Sequence, residues 1–92
     1  MPTLRVTQFE PTPTPNAVKC LTDRPTGSAI RSYFRAGEAG GDALASRLFA
    51  IEGVTNVLIH LRFISVCKDP AADWKLLKPQ IKAAIQAEQV EG

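Results

Sequence analysis

The chain has 92 residues, of which 45% are hydrophobic and 22% are charged, so we expect one small globular domain over residues 1–92 and exclude a disordered chain. Eleven basic and nine acidic residues leave a net charge of +2 with the signs interspersed, which argues against the basic stripe of a nucleic-acid binder. No apolar run approaches the roughly 20 residues of a membrane span, so neither nucleic acid nor a membrane is an expected partner.

Alternating apolar and polar residues predict a half-buried strand over Thr3–Glu10, with Leu4 and Val6 on one face. The three alternating prolines of Pro11–Pro15 then hold the chain extended and remove three backbone donors. A second short strand, Ala17–Leu21, follows directly. We therefore interpret the proline run as a connection within the sheet, and not as a linker or a proline ligand for another protein.

A turn cluster, TDRPTG at positions 22–27, separates the second strand from a third alternating run over Ser28–Arg35. Within this run the expected inward side chains are Ile30 and the aromatic pair Tyr33 and Phe34. A third strand is therefore predicted before the first helix.

Asp42 is the predicted N-cap of a helix that ends before Gly53, because its carboxylate can accept bonds from the free amides of a first turn. Two apolar, β-branched runs follow, Val54–Leu61 and Phe63–Lys68, and the tight junction between them predicts a hairpin. Asp73 is the predicted N-cap of a last helix with an apolar stripe.

Pro79 falls inside that stripe, so we expect it to kink the helix or to mark its true start. The predicted order of elements is βββ-α-ββ-α. This order indicates an α+β fold with two layers, in which a mostly antiparallel sheet of about five strands carries both helices on one face.

Strand parity places the two cysteines on opposite faces of the sheet. Cys20 shares the inward face with Val18, whereas Cys67 lies opposite Ile64 and Val66, so we expect neither a disulfide nor a shared metal site. We interpret Cys20 as a core residue and Cys67 as an inert surface thiol. Because the first residues lack the charged-then-apolar order of a secretory signal, we expect a cytoplasmic protein with reduced thiols.

No residue pattern predicts catalysis. His60 is the single histidine and has no acid or nucleophile next to it in the sequence, the serines show no GxSxG context, and the glycines match no phosphate-binding loop. We therefore predict that the protein is not an enzyme.

Four motifs follow one another along the chain: TPNAVK at 14–19, LASRLFAIEGV at 44–54, FISVCK at 63–68 and WKLLKPQI at 74–81. In this order they resemble the N-terminal domain of the Nfu/NifU-like iron–sulfur scaffold proteins, whose pattern reads PNPNALKF, a helix ending in LFxIxGV, DFITVTK and WxxLKPxI. The resemblance extends from about Thr12 to Ile85.

The resemblance implies the α+β fold already reached from patterning, and an association with iron–sulfur cluster assembly. In full-length members the cluster chemistry lies in a separate C-terminal domain with a CxxC motif, which this sequence lacks, so we expect a stand-alone module for specificity or partner docking. Four positions depart from the pattern. Cys20 stands where the family usually has an aromatic core residue, Cys67 replaces a threonine, and the pair at 61–62 replaces a glycine and an acid.

The leading hypothesis is a non-catalytic accessory module, monomeric or weakly dimeric, that docks protein components or clients of iron–sulfur cluster assembly. Prolines reduce the entropy that an extended segment loses on binding, so the exposed part of the first motif is the candidate surface. Asn16 either offers its amide to a partner or closes a turn onto its own backbone. The predicted partner-binding residues are Thr14, Pro15, Asn16, Lys19 and Arg24.

The alternative hypothesis is that the chain itself binds iron or an iron–sulfur cluster, in a dimer that pools Cys67 and His60 from two chains. Its basis is the presence of two thiols in a chain that resembles an iron–sulfur family. Under the leading hypothesis we expect no tightly bound cofactor.

Overall fold

The computed structural model of the chain describes residues 3–27 and 29–89. Five strands and two α-helices follow one another in the predicted order, with a short 3₁₀ turn before the first helix. The elements are β1 (Val6–Pro11), β2 (Ala17–Thr22), β3 (Arg31–Tyr33), the 3₁₀ turn (Ala36–Glu38), α1 (Ala43–Phe49), β4 (Val54–Ile59), β5 (Phe63–Lys68) and α2 (Trp74–Gln86).

All neighbouring strands pair antiparallel, in the spatial order β1-β2-β5-β4-β3. The central pair is formed by β2 and β5, in which Cys20 lies opposite Ile64 and Val18 opposite Val66. Both helices pack on the face to which these four side chains point. The predicted α+β fold, with one sheet and two helices on one face, is therefore confirmed.

The core between the sheet and the helices is built from small and medium aliphatic side chains. Buried strand residues alternate with half-buried ones along β2 and β5 and in the second half of β4, as expected for a sheet with one covered face. The largest fully buried side chains are Leu4, Leu44, Leu48, Ile59, Ile64, Ile81, Ile85, Val57, Val66 and Cys20.

The third strand is shorter than predicted, and its inward side chains are different. Ile30 is 54% exposed and Phe34 is 69% exposed, so the prediction that these two point inward is wrong. Arg31 and Tyr33 instead lie opposite Ile59 and Val57 of β4, on the core side, where Tyr33 packs against the core as predicted. Ser28, at the start of the predicted strand, lies outside the described residues.

A buried carboxylate explains this choice of face. The Asp42 side chain accepts a hydrogen bond from the amide of Ala45 (3.2 Å), as predicted for the N-cap of α1. Its Oδ2 atom also accepts a hydrogen bond from the Tyr33 hydroxyl (2.9 Å) and lies 3.2 Å from Nε of Arg31. The polar contacts to Asp42 therefore turn Arg31 and Tyr33 inward and leave the apolar residues on either side exposed.

The last helix runs without interruption through Pro79. It begins at Trp74, where Asp73 Oδ1 accepts a bond from the amide of Lys75 (2.9 Å). The N-cap prediction for Asp73 is confirmed, and the alternative that Pro79 marks the start of the helix is wrong. Within residues 3–27 and 29–89, neither helix is both long and apolar enough to cross a bilayer.

Two tight connections hold β4 in place. Gly53, just before β4, has a positive φ of 101°, and a Cβ atom there would lie 3.0 Å from Cβ of Ala72, so both backbone and space favour glycine. At the other end, the amide of His60 donates to the carbonyl of Phe63 (2.9 Å) across a two-residue loop. The predicted β4–β5 hairpin is thereby confirmed.

Candidate functional site

The proline-rich connection between β1 and β2 is held in one conformation by its own threonines. Oγ1 of Thr12 lies 2.8 Å from the carbonyl oxygen of Thr14 and 3.1 Å from that of Ala17, so one hydroxyl proton serves both acceptors. The same oxygen accepts a bond from the amide of Thr14 (3.2 Å), and the amide of Ala17 donates to the Thr14 carbonyl (3.1 Å). The connection, residues 11–16, is therefore a tight turn ordered by its own hydrogen bonds, and we call it the proline corner.

A buried lysine fastens the end of the proline corner to the rest of the fold. Lys68 is only 8% exposed, and its ammonium donates to Oδ1 of Asn16 (3.2 Å) and to the carbonyl of Asp69 (3.3 Å). It also lies 5.5 Å from the ring centroid of Trp74, within the range of a cation–π contact. The Lys68 amide donates to the Asn16 carbonyl (2.7 Å), so side chain and backbone both join the corner to β5.

Trp74, the first residue of α2, attaches the corner to the helix layer. Its indole Nε1 donates to the carbonyl of Pro15 (3.1 Å), and the half-buried ring packs against the core. Trp74 is therefore a packed residue that also lines a cleft. Three elements, β5, α2 and the corner, thus meet at Asn16, Lys68 and Trp74.

The cleft lies between the proline corner, β1 and α2, and has a volume of about 330 Å³. Its walls include two aromatic rings, two prolines and one cation, Lys78. Nζ of Lys78 lies 5.6 Å from the ring centroid of Phe9. We call it the α2–β1 cleft. It is lined by Phe9, Pro11, Thr12, Thr14, Pro15, Ala17, Val18, Trp74 and Lys78.

The structure brings together only part of the predicted partner-binding set. Thr14 and Pro15 are exposed on the rim of the cleft, and Asn16 is half-buried beside them with its amide oxygen on Lys68. Lys19 lies on the face of the sheet that carries no helix, 4.6 Å from the ring centroid of Phe63. Arg24 follows the far end of β2, with its Nε 3.6 Å from Oδ1 of Asp23. A single surface can therefore use the first three residues but not all five.

Two further contributions to this region were missed from the sequence, namely the ring of Phe9 and the cation of Lys78. Lys78 belongs to α2, which meets the corner only in the folded chain, whereas Phe9 lies on β1, which runs directly into the corner. A signal for the buried lysine was present, because Lys68 has the same parity in β5 as Ile64 and Val66. A cation on a core-facing position requires polar partners nearby.

A larger depression of about 620 Å³ lies on the other side of the α2 N-terminus. Among the described residues, neither an aromatic ring nor a lysine lines it. Its acidic lining residues include Asp69 and Asp73. Asp69 accepts a hydrogen bond from the amide of Ala71 (2.9 Å), and Asp73 caps α2. These two carboxylates already bind the backbone, and the remaining acid of the lining is the exposed Glu52. We place the candidate site at the α2–β1 cleft, where a fixed corner, two aromatic rings and a lysine meet.

The cysteines lie on opposite faces of the sheet, as strand parity predicted. Cys20 is fully buried, and burial raises the pKa of its thiol to about 12. Cys67 is half-buried on the helix-free face, where burial raises the pKa of its thiol. At neutral pH both positions therefore hold less thiolate, the nucleophilic form, than an exposed cysteine would.

His60 and Cys67 share the helix-free face but are separated along it. The imidazole of His60 stacks on Phe63, with centroids 4.5 Å apart and planes 7° from parallel. Phe63 and Cys67 are four residues apart on β5, which is about 13 Å in a strand. In the part of the chain that the structure describes, no group of three His, Cys, Asp or Glu residues could hold a metal ion. A shared site would need a second chain.

Comparison with known proteins gives a family match and several relatives. The family model for "Scaffold protein Nfu/NifU N terminal" matches residues 7–92, which confirms the resemblance in the four motifs. The chain is 30% identical over 81 residues to conserved virulence factor C of Staphylococcus aureus (strain bovine RF122 / ET3-1), covering 88% of this chain and 22% of that protein. The chain thus spans about a fifth of the length of that curated relative.

Solved structures agree with the fold. The solution structure of SeR13 from Staphylococcus epidermidis is 34% identical and superposes with a TM-score of 0.59, covering 86% of this chain and 92% of that one. A NifU-like protein from Saccharomyces cerevisiae superposes with a TM-score of 0.70 over 95% of this chain and 82% of that one. At 24% identity, the second likeness concerns the fold alone.

Proposed function

The chain belongs to the N-terminal family of the Nfu/NifU scaffold proteins, and from this premise we propose that it is a non-catalytic docking module of iron–sulfur cluster assembly. Its role is to hold a protein component or client of that process, while the cluster chemistry takes place elsewhere. The family link supports a role in iron–sulfur cluster assembly, and the residues that line the α2–β1 cleft support docking of a protein partner.

The observation that carries the docking role is the fixed proline corner beside an apolar cleft. Thr12, Asn16 and Trp74 each hold the corner by side-chain hydrogen bonds, so its exposed rim has little conformational freedom left to lose. A surface that is already ordered avoids the entropy cost of ordering on binding. Thr14 and Pro15 on the rim are therefore suited to contact a partner directly.

The surroundings of the cleft favour binding over catalysis. Its lining contains aromatic, proline and threonine side chains and one lysine, and among residues 3–27 and 29–89 no carboxylate, histidine or cysteine lines it. General acid–base or nucleophilic chemistry needs a positioned pair of such groups. Rings beside a cation are instead typical of interface anchors, where aromatic residues are enriched.

Site-specific photo-crosslinking tests the proposal. A benzoylphenylalanine at position 14, on the rim, should capture identified components or clients of cluster assembly from an extract of the source cells. The matched control places the same probe at Ser32, which is exposed on the helix-free face. The proposal is wrong if position 14 captures no such protein, or if position 32 captures the same proteins equally well.

A further inference from the structure

Helix α2 carries three lysines and no acidic residue in the sequence WKLLKPQIKAAIQ. Lys75, Lys78 and Lys82 have the spacing i, i+3, i+7, which at about 100° per residue places them within an arc of about 60° on one flank of the helix. Over seven residues the stripe extends about 10 Å along the axis. We call these three residues the lysine stripe.

Contacts on the same flank show which way the stripe faces. Gln86 lies one turn beyond Lys82, and its Oε1 accepts a bond from the amide of Val6 at the start of β1 (3.3 Å). The ammonium of Lys78 lies over the ring of Phe9, also on β1. The lysine stripe therefore borders the α2–β1 cleft, and Lys78 belongs to both.

The stripe has no internal counter-charge. Within the described ranges, no carboxylate oxygen lies within 4.0 Å of a stripe ammonium, since every ion pair found there involves an arginine. Three described carboxylates of this region have other partners: Asp73 accepts a bond from the Lys75 amide (2.9 Å), Glu10 accepts one from Gln8 (3.2 Å), and Glu88 pairs with Arg47. Three like charges on one helix flank repel one another, so an external anion would relieve that cost.

We propose that the α2–β1 cleft and the lysine stripe together dock an acidic, extended segment of a partner protein, with one apolar side chain of the segment seated in the cleft. This inference rests on the proposed docking function and adds the chemistry of the partner. Charge complementarity along the stripe sets orientation and on-rate, whereas the apolar anchor between Phe9 and Trp74 supplies the buried contact.

The dimensions favour a short extended segment. Three carboxylates at alternate positions of an extended segment lie within about 13 Å of one another, close to the length of the stripe of about 10 Å, so flexible acidic side chains can reach Lys75, Lys78 and Lys82 together. The α2–β1 cleft, about 330 Å³ in volume and beside the middle of this row, is at the lower limit of small-molecule sites. It accommodates one anchor side chain and not a packed helix.

A blocked decapeptide of Asp and Glu with a central Leu-Phe pair is the probe. Trp74 is the only tryptophan of the chain and lines the cleft, so its emission should report binding directly, and two-dimensional amide NMR should show shifts at Phe9, Trp74 and Lys78. We expect binding to weaken at higher salt. It should also weaken when Leu-Phe is replaced by Ser-Ser, or when the acids are replaced by their amides.

Charge-removing variants distinguish binding at the lysine stripe from a general attraction between a cationic protein and an anionic peptide. Lys75→Gln and Lys82→Gln, both at exposed positions, should each weaken binding roughly twofold to fivefold, and the triple variant with Lys78→Gln about tenfold or more. Arg62→Gln removes the same charge from the exposed β4–β5 loop and should leave affinity unchanged. Equal losses in Arg62→Gln and the stripe variants, no change in Trp74 emission, or equally tight binding of a ten-residue oligothymidine would overturn the proposal.

The two proposals can fail separately. If the decapeptide does not bind but a probe at position 14 still captures assembly proteins, the docking function stands and the acidic-segment chemistry is wrong. If neither binds, the docking function itself is wrong. Circular dichroism of each variant confirms that the fold is retained.

Discussion

Replacing Asn16 by alanine should destabilise the fold, because the Asn16 amide oxygen is one of two hydrogen-bond acceptors of the buried Lys68 ammonium. The other acceptor is the Asp69 carbonyl at 3.3 Å, and Lys68 is only 8% exposed, so water cannot readily replace the lost oxygen. A hydrogen bond to a charged group contributes about 1.5–3 kcal/mol. We therefore expect a loss of about 2 kcal/mol in the free energy of unfolding.

For a domain of this size, that loss corresponds to a fall in Tm of about 8–16 °C. Urea unfolding followed by Trp74 fluorescence measures the change, and the matched control is the same substitution in a Lys68→Met background. Without the ammonium, Asn16→Ala should cost less than about 0.5 kcal/mol. If Asn16→Ala lowers the free energy of unfolding equally in both backgrounds, the two residues are not coupled, and the Lys68 ammonium does not hold the corner through Asn16.

Three further predictions follow from the core, a turn and the thiols. The free energy of unfolding should fall between about pH 9 and pH 12, by up to about 1.4 kcal/mol per pH unit, because the folded Cys20 thiol keeps its proton in this range while the unfolded one ionises. Urea titrations at pH 8.5 and 10.5 should show this slope in wild type and not in Cys20→Ala. Gly53→Ala should lower the free energy of unfolding by about 1–3 kcal/mol, since alanine is strained at φ 101° and its Cβ would crowd Ala72. A loss of stability below about 0.5 kcal/mol, measured by thermal unfolding, would contradict this. Anaerobic reconstitution with iron and sulfide tests the cluster-binding alternative: we expect no thiolate charge-transfer absorbance that depends on Cys67, whereas colour abolished by Cys67→Ser would favour a cluster bound between two chains.

The sequence predicted the strands best where alternation was strict. In β2 and β5 every second residue is buried, and four of these six residues are apolar, namely Val18, Cys20, Ile64 and Val66. Strand parity alone therefore placed Cys20 and Cys67 on their correct faces. In β3 the same rule failed, because Asp42, which lies nine residues beyond Tyr33, turns Arg31 and Tyr33 inward. The apolar and polar periodicity of β3 alone cannot predict a polar contact that β3 makes with the residue before α1.

The site was predicted in part for a related reason. The motif at 14–19 indicated a stiff corner with Thr14 and Pro15 on its surface, and local proline chemistry suffices for that. The partners of the corner lie more than 50 positions away, at Lys68 and Trp74, and only the fold brings them close. The lysine stripe was readable from its i, i+3, i+7 spacing, but its position beside Phe9 was not, since that depends on how α2 packs.

The same contacts separate the structural residues of the corner from those free to bind. Asn16 was predicted as a binding residue, yet its amide oxygen is committed to Lys68 and its carbonyl to the Lys68 amide, so changing it alters stability and binding together. Thr14 and Pro15 have exposed side chains, and only their backbone atoms hold the fold. Binding experiments should therefore alter Thr14, Pro15 or the lysine stripe, since a loss of affinity there reports on the surface and not on unfolding of the corner.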